Sequence, residues 1–454
     1  MSTLITVSGL GILCLLLEVM NLRKVLIPVV LIVLFAILGM TWIETYSQKF
    51  LFTDPWNMIA DTAYSCKFSM LFILLTIFLV TMSRWFYENQ STKITDYIAI
   101  KIFLLAGAIA MVSFGNLAMF FLGLEVLSIA GYILASSNPR DRKSNEAGIK
   151  YFIMGAFASS FTLLGITLVY GAVGSFTIEA ISSYASGSES VLFSAGMTLM
   201  AIGLFFKASI VPFHFWAPDV YEGSPAIVTA MMSTLVRVAS VAALYKMFVI
   251  FAPAVSSHFQ WVLVVLSILT MTIGNITALR QRNIKRMMAY SSISHTGFMM
   301  MALLALHTSS NTIFYYAAAY SLANVAAFSV ILAVCRDKKD ESVSHFSGLF
   351  HRKPVLAFLF SCALLSLGGL PVFAGFFAKF LVFEQAIDFL ILPVFGIINT
   401  IIAIYYYVRI INLMQKKENQ TGETVTVPFE YLAVGIVAIV LNVLLGVFPS
   451  LVMR

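Results

Sequence analysis

Long apolar runs separated by short polar breaks recur along the whole of this 454-residue chain. A helix rises 1.5 Å per residue, so roughly 20 apolar residues cross the hydrocarbon core of a bilayer. Measured against that length, the runs predict fourteen helices, near 4–22, 25–46, 65–86, 97–114, 117–137, 147–173, 190–211, 225–250, 256–279, 287–306, 310–335, 354–386, 387–413 and 428–450. The predicted fold class is an all-α polytopic membrane protein. Two of the runs carry a breaker: the seventh stops at Pro212, and the twelfth holds Gly368-Gly369-Leu370-Pro371. Proline removes a backbone donor, which at membrane depth is tolerable only against protein or a water-filled cavity.

Charge orients these helices. With both termini outward, 21 of the 28 Lys and Arg fall on the inner side or at inner helix ends, in clusters that include Arg23-Lys24, Arg84 to Lys101, Arg140 to Lys150 and Arg280 to Arg286. Lys49, Lys67, Lys246 and Arg454 fall toward the outer side, as do the acidic Glu179 and Glu189. That asymmetry is the positive-inside pattern. It also explains the net charge of +7. The basic residues are spread through short loops rather than gathered in a domain, so no nucleic acid is expected as a partner. The apolar run Leu4–Leu22 has full span length and no basic segment before it, which argues against a cleavable signal peptide.

Composition agrees: 60% of residues are hydrophobic and 11% charged, against about 25% charged in soluble domains. Cys14, Cys66, Cys335 and Cys362 lie far apart, and the six histidines show no metal-ligand spacing. A disulfide framework, an iron–sulfur cluster and a structural zinc site are therefore poorly supported. Neither a phosphate-binding glycine loop nor a dinucleotide fingerprint is present.

An internal repeat is visible at two anchors. Gly115-Asn116 recurs as Gly274-Asn275, and Pro212 as Pro371, each 159 residues on. Units of five helices are odd-numbered, so the two copies are expected to be inverted, an arrangement that places sites near the midplane. The expected organisation is 1–96 as N-terminal helices, 97–250 and 251–413 as the two repeats with their following helices, and 414–454 as the last span.

Three cations, Lys207, Arg237 and Lys379, fall near mid-membrane by this count, and Glu125 lies in a run with apolar residues on both sides. Lys207 sits deep in the seventh, five residues before Pro212, and Glu125 lies in the fifth, LAMFFLGLEVLSIAGYILASS. Such charges are costly in hydrocarbon and are read first as functional. At ~6 Å and an effective dielectric of ~20 a Glu125–Lys207 pair is worth about 2.8 kcal/mol, enough to act as a switch. The alternative is a static pair. Arg237, in the eighth run, keeps its charge and cannot release a proton in turnover. Lys379 follows the second break and can; its other reading is a lysine snorkelling to the outer interface. His295 either relays protons or is satisfied by Ser291, Ser292 or Ser294. Glu18 is expected to face headgroups, while Asp219 and Glu222 are expected to brace the inner loop after the first break.

The stretch GLFFKASIVPFHFWAPDVYEGSPA (203–226) resembles the antiporter-like membrane subunits of respiratory complex I, NADH–quinone oxidoreductase. Within that family, Pro218 to Pro225 has the P-D-V-Y-x-G-x-P form of the N-type subunits, where sister subunits read P-x-H-x-W-L-P-D-A. FFLGLEVLSI (120–129), EAGIKYFIMGAFASSF (146–161), IKRMMAYSSISHTGF (284–298) and LGGLPVFAGFFAKF (367–380) add to the likeness. The resemblance implies fourteen helices with two inverted five-helix units, and a multi-pass protein of the bacterial inner membrane. It places the family's acidic residue of the fifth helix on Glu125, and its lysines of the seventh and twelfth on Lys207 and Lys379. Where the family usually has a lysine in the eighth helix this chain has Arg237, which leaves Ser233, His295 or water to carry protons there.

The expected function is proton translocation coupled to quinone reduction. NADH, FMN, iron–sulfur clusters and quinone would be bound by other subunits and none by this chain, with neighbouring membrane subunits and lipid as partners. The alternative is a subunit of a multisubunit cation/proton antiporter. A purely structural scaffold is disfavoured by the three costly cations.

Overall fold

The computed structural model describes residues 1–20, 22–47, 54–88, 94–187, 190–306, 310–336, 338, 340–416 and 427–453. Lys49, Lys93, Glu189, Lys339, Lys417 and Arg454 lie outside the described residues.

The fourteen expected spans are present. The first six are Ser2–Val19, Arg23–Ser47, Ala63–Glu88, Ile94–Ser113, Leu117–Ala135 and Arg142–Val173. The seventh is broken into Val191–Lys207 and Trp216–Gly223. The eighth runs from Ala226 to Phe251 as helix, a π turn at Met232–Val236, and helix again. The ninth to eleventh are Ser257–Ala278, Ile284–Met300 and Ser310–Cys335. The twelfth is broken into Pro354–Gly368 and Ala374–Gln385, and Ile391–Gln415 and Phe429–Val447 complete the set. Eleven of these are long and apolar enough to cross a membrane unaided. The two broken spans and the more polar Ile284–Met300 make up the rest.

Local sequence sets the ends. Asn116 caps the fifth span by accepting from the Met119 amide at 2.8 Å. Asn283 caps the tenth by accepting from the amides of Lys285 and Arg286 at 2.9 and 3.2 Å. Both use a short polar side chain to satisfy orphan donors. Differences from the expected bounds are of a few residues, as helix ends fray. Several short elements have no counterpart in the apolar pattern, among them the helices Ile178–Ala185 and Leu349–Arg352, the turn Val343–Phe346 and the π turn of the eighth span.

The two halves pack by one device. A Cβ on Gly107 would lie 2.5 Å from the Leu127 amide nitrogen, and one on Gly123 2.8 Å from the Ala110 Cβ, so the fourth and fifth spans touch backbone to backbone. Gly274 and Gly297 do the same between the ninth and tenth, each 2.8 Å from a main-chain nitrogen of the other helix. Small residues at a helix contact permit this approach in a membrane. The eleventh span is buried along its whole length and forms the centre of the molecule.

Lys101 departs from its expected place. Counted among the inner basic residues, it is instead fully buried inside the fourth span. Glu18 does not simply face headgroups either, since Arg23 Nη2 meets it at 2.5 Å. Asp219 and Glu222, after the first break, are both paired with Arg286 Nη1, at 2.7 and 3.0 Å. Lys246 caps the C-terminal end of the fourth span by donating to the carbonyls of Val112 and Phe114 at 2.9 and 2.7 Å.

Candidate functional site

Each broken helix exposes carbonyls that have no amide partner, and each break is met by a cation. A helix C-terminus carries about half a negative charge, so a cation there is favoured by roughly 0.3–2 kcal/mol. At the first break the chain leaves the helix at Lys207, turns through Ser209 with φ +53° and a cis Val211–Pro212 bond, and resumes at Trp216. The Ala208 carbonyl accepts from Arg237 Nη1. At the second break Gly369 and Val372 both take φ +82°, and Lys379 Nζ donates to the carbonyls of Leu367 and Gly368 at 3.2 and 3.0 Å. Lys379 is 4% exposed, so it does not snorkel to an interface. Its ammonium also stands 5.0 Å from the centroid of the Phe298 ring.

Lys207, likewise 4% exposed, is the last residue of its half-helix. It does not pair directly with Glu125. Its Nζ donates to Ser128 Oγ at 2.7 Å and to the Tyr151 hydroxyl at 3.3 Å, and stands 5.1 and 5.5 Å from the rings of Tyr151 and Tyr132. Ser128 is one turn beyond Glu125 on the same helix, which is why the lysine reaches the hydroxyl and not the carboxylate. Tyr151 stacks on Trp216 at 4.6 Å and 5°, and Trp216 Nε1 donates to the Phe206 carbonyl at 3.0 Å. The aromatic pair thereby ties the two half-helices on either side of the break.

Glu125 is half-buried, between the exposed Leu122 and Ile129 on one stripe of the fifth span. Its Oε1 is enclosed and has no hydrogen-bond partner. A carboxylate in that position is close to Lys207 yet reachable from outside the chain.

Arg237, 1% exposed, joins three spans. Besides Ala208 it donates from Nη2 to the Tyr221 hydroxyl at 3.1 Å and to Ser292 Oγ at 3.0 Å. It follows directly on the π turn, a distortion often found at functional sites. Ser233, named as a proton carrier beside Arg237, donates its hydroxyl to the Ala230 carbonyl at 3.0 Å, and its own carbonyl accepts from Tyr320 at 3.0 Å. His295 is not satisfied by Ser291, Ser292 or Ser294. Its Nδ1 pairs with the Tyr316 hydroxyl at 2.9 Å, and its ring lies 5.0 Å from that of Tyr320. The serines have other partners: Ser291 meets Tyr407, and Ser292 donates to the Ala289 carbonyl at 2.8 Å. A cavity of about 10 Å³ lined by His295, Tyr316, Tyr320 and Ser366 lies on the way to the second break, close to the smallest space that holds one water.

Tyr316, Tyr320 and Asn324 are the residues that the apolar pattern passed over. Their four-residue spacing on the eleventh span is a legible polar face. Glu125, Lys207, Arg237, Tyr320, His295 and Lys379 are thus charged groups with a hydroxyl and an imidazole, each able to donate and accept, between Arg237 and Lys379.

The family described as NADH:quinone oxidoreductase/Mrp antiporter, TM matches residues 115–415, which hold all of these groups. The chain belongs to this family. NADH-quinone oxidoreductase subunit N of Flavobacterium johnsoniae is 50% identical, the match covering 100% of this chain and 99% of that protein. The subunit of the same name from Cytophaga hutchinsonii is 40% identical over 100% and 99%. Among solved structures, respiratory complex I from Thermus thermophilus with bound Aureothin contains a chain that superposes with a TM-score of 0.85 at 29% identity, covering 99% of this chain and 98% of that one. The Mrp complex from Dietzia sp. shares the fold, with a TM-score of 0.85 at 21% identity. The chain is thus an all-helical, multi-pass membrane protein of a family found in multisubunit complexes.

Proposed function

We propose that this chain is the proton-translocating membrane subunit of an NADH-quinone oxidoreductase, like the subunit N proteins it resembles. The observation that carries the reading is the pair of broken helices, each ending against a buried cation. Lys207 and Lys379 are the groups that take up and release protons. Arg237 is a fixed charge between them, and Tyr320, His295 and one water bridge the interval. Glu125 receives the coupling signal, since it is enclosed on one oxygen and borders an exposed stripe where an adjoining membrane subunit would pack. When its carboxylate gains or loses a cationic neighbour, the field at Lys207 changes across Ser128, and the lysine's proton is driven toward Arg237 and on to Lys379. Buried charges interact at low effective dielectric, so a change one helical turn away is felt strongly.

The redox chemistry belongs to other subunits, which would hold FMN, iron–sulfur clusters and the NADH and quinone sites. The four cysteines here are free, and three of them buried. We place 97–250 and 251–413 as the two functional repeats, with both termini on the outer side of a bacterial inner membrane. Purifying the assembly through this chain tests the reading. Co-purifying flavin and iron–sulfur subunits with quinone-reductase activity is the expected result. Recovery of antiporter subunits alone, without a redox centre, would assign the chain to cation/proton exchange.

A further inference from the structure

One buried ammonium has no part in the path above. Lys101 is 0% exposed and lies about 10 Å from the inner end of the fourth span, at 1.5 Å per residue from Ile94. Its Nζ donates to Ser83 Oγ at 2.6 Å and stands 4.7 Å from the centroid of the Tyr87 ring. An ammonium has three donors, and a hydroxyl and a ring face occupy two of them. Among the described residues no carboxylate comes within ion-pair distance of it. A lysine kept only for its stem would extend toward the interface; this one turns inward to a serine on the third span.

The inner side of Lys101 is lined with hydroxyls in want of partners. Tyr87, in the last turn of the third span, and Thr95, in the first turn of the fourth, are buried to 2% and 0% exposure, and neither hydroxyl makes a hydrogen bond. Ser137 Oγ, just past the end of the fifth span, is a third such atom. Tyr87 stacks on Tyr97 at 4.8 Å, and the Tyr97 hydroxyl donates to the Ser137 carbonyl at 2.7 Å, so Tyr87, Tyr97 and Ser137 form one cluster, with Thr95 two residues before Tyr97. Leaving a buried hydroxyl unpaired costs about 1–3 kcal/mol, and ordered water is the usual remedy. A pocket of about 400 Å³ is lined by Trp85, Phe86, Asn138 and Asp141, sequence neighbours of Tyr87 and Ser137. Away from it the same face of the third span continues with Thr76, Ser69 and Ser65. There Thr76 donates to its own helix at the Phe72 carbonyl, 2.8 Å away.

We infer that Lys101 is a further proton-accepting residue of the first half, exchanging protons with the inner aqueous phase along Ser137, Tyr87 and Thr95. This rests on the translocation reading above. In the step, a water among these hydroxyls gives a proton to the lone pair of neutral Nζ and takes the next one from the solvent behind it. Ser83 serves both states, accepting from the ammonium and turning its own hydrogen toward the neutral amine.

Four variants of the whole complex test this. Lys101→Arg keeps a charge that is not released at neutral pH, and Lys101→Met removes it. Both, assembled by native gel, are expected to lose most quinone-driven proton pumping, the Arg form as severely as the Met form. Pumping by the Arg form at the wild-type level would overturn the inference, because a structural cation is served equally well by arginine. Independently, Thr95→Cys is expected to react with a small charged methanethiosulfonate in inverted vesicles. Failure to react there overturns the water path, including in the case where the Arg form does not assemble. Lys207→Met measured alongside separates the two levels: if it too pumps normally, the translocation reading itself has failed.

Discussion

Arg237 donates to the main-chain carbonyl of Ala208, the first residue past the seventh span's half-helix Val191–Lys207. Lys379 does the equivalent at the other break, through Leu367 and Gly368 at 3.2 and 3.0 Å. The two cations differ in what they can do next. A lysine can surrender its proton and leave the carbonyls to water, whereas a guanidinium holds its charge in place. The family's usual lysine at the eighth helix is therefore replaced here by a permanent one. In the proposed translocation the first break would stay electrostatically capped while the second could switch.

Arg237→Lys is expected to retain a substantial part of the pumping activity, reduced because one ammonium cannot reproduce the contacts to Ala208, Tyr221 and Ser292 together. Arg237→Met is expected to fail, since it removes the cation and leaves the Ala208 carbonyl unpaired in the interior. Proton pumping by both variants in reconstituted vesicles checks this. Equal activity of the two would eliminate the charge role.

Gly369→Ala should damage the second break specifically. The residue has φ +82°, and a Cβ there would lie 2.9 Å from Lys379 Cδ and 3.2 Å from its Nζ. The backbone conformation alone costs an L-residue about 1–2 kcal/mol, and the added carbon displaces the ammonium from its carbonyls. Pumping per quinone reduced is expected to fall while the complex still assembles, measured by acidification against NADH oxidation. Unchanged coupling would mean that the placement of the Lys379 ammonium is not critical.

Orientation is checked with cysteines at the two ends of the bundle. Arg282→Cys, in the basic inner loop, is expected to stay unlabelled by a membrane-impermeant thiol reagent in intact cells. Ala185→Cys, at the end of the short outer helix Ile178–Ala185, is expected to label. The reverse pattern would overturn the inward placement of the basic loops.

The spans were legible because each is a run of apolar residues long enough to stand alone, and the breaks because Pro212 and Gly368-Gly369 are strong local punctuation. Lys207, Arg237 and Lys379 stood out for the same reason, as charges in otherwise apolar runs. What the pattern did not convey is tertiary. Lys101 lies only a few residues from Asp96 and so looked like part of the inner rim, although its helix places it within the protein. The partner of His295 was sought among serines of its own helix and found in Tyr316 of another. The Glu125–Lys207 contact was shifted by a single helical turn to Ser128, which no spacing rule distinguishes before the two helices are docked. The π turn before Arg237 depends on how that helix is wedged between its neighbours, and the residues 232–236 carry no signal of it.

The account turns on Lys207 handing on a proton under the control of Glu125. The most direct test is quinone-driven acidification by vesicles containing the complex with Glu125→Ala or Lys207→Ala, after native gels have confirmed full subunit content. Each variant is expected to lose most pumping and to slow quinone reduction, because each removes one of the two charges whose mutual field controls the proton on Lys207. An assembled Glu125→Ala complex that pumps at the wild-type rate would contradict it.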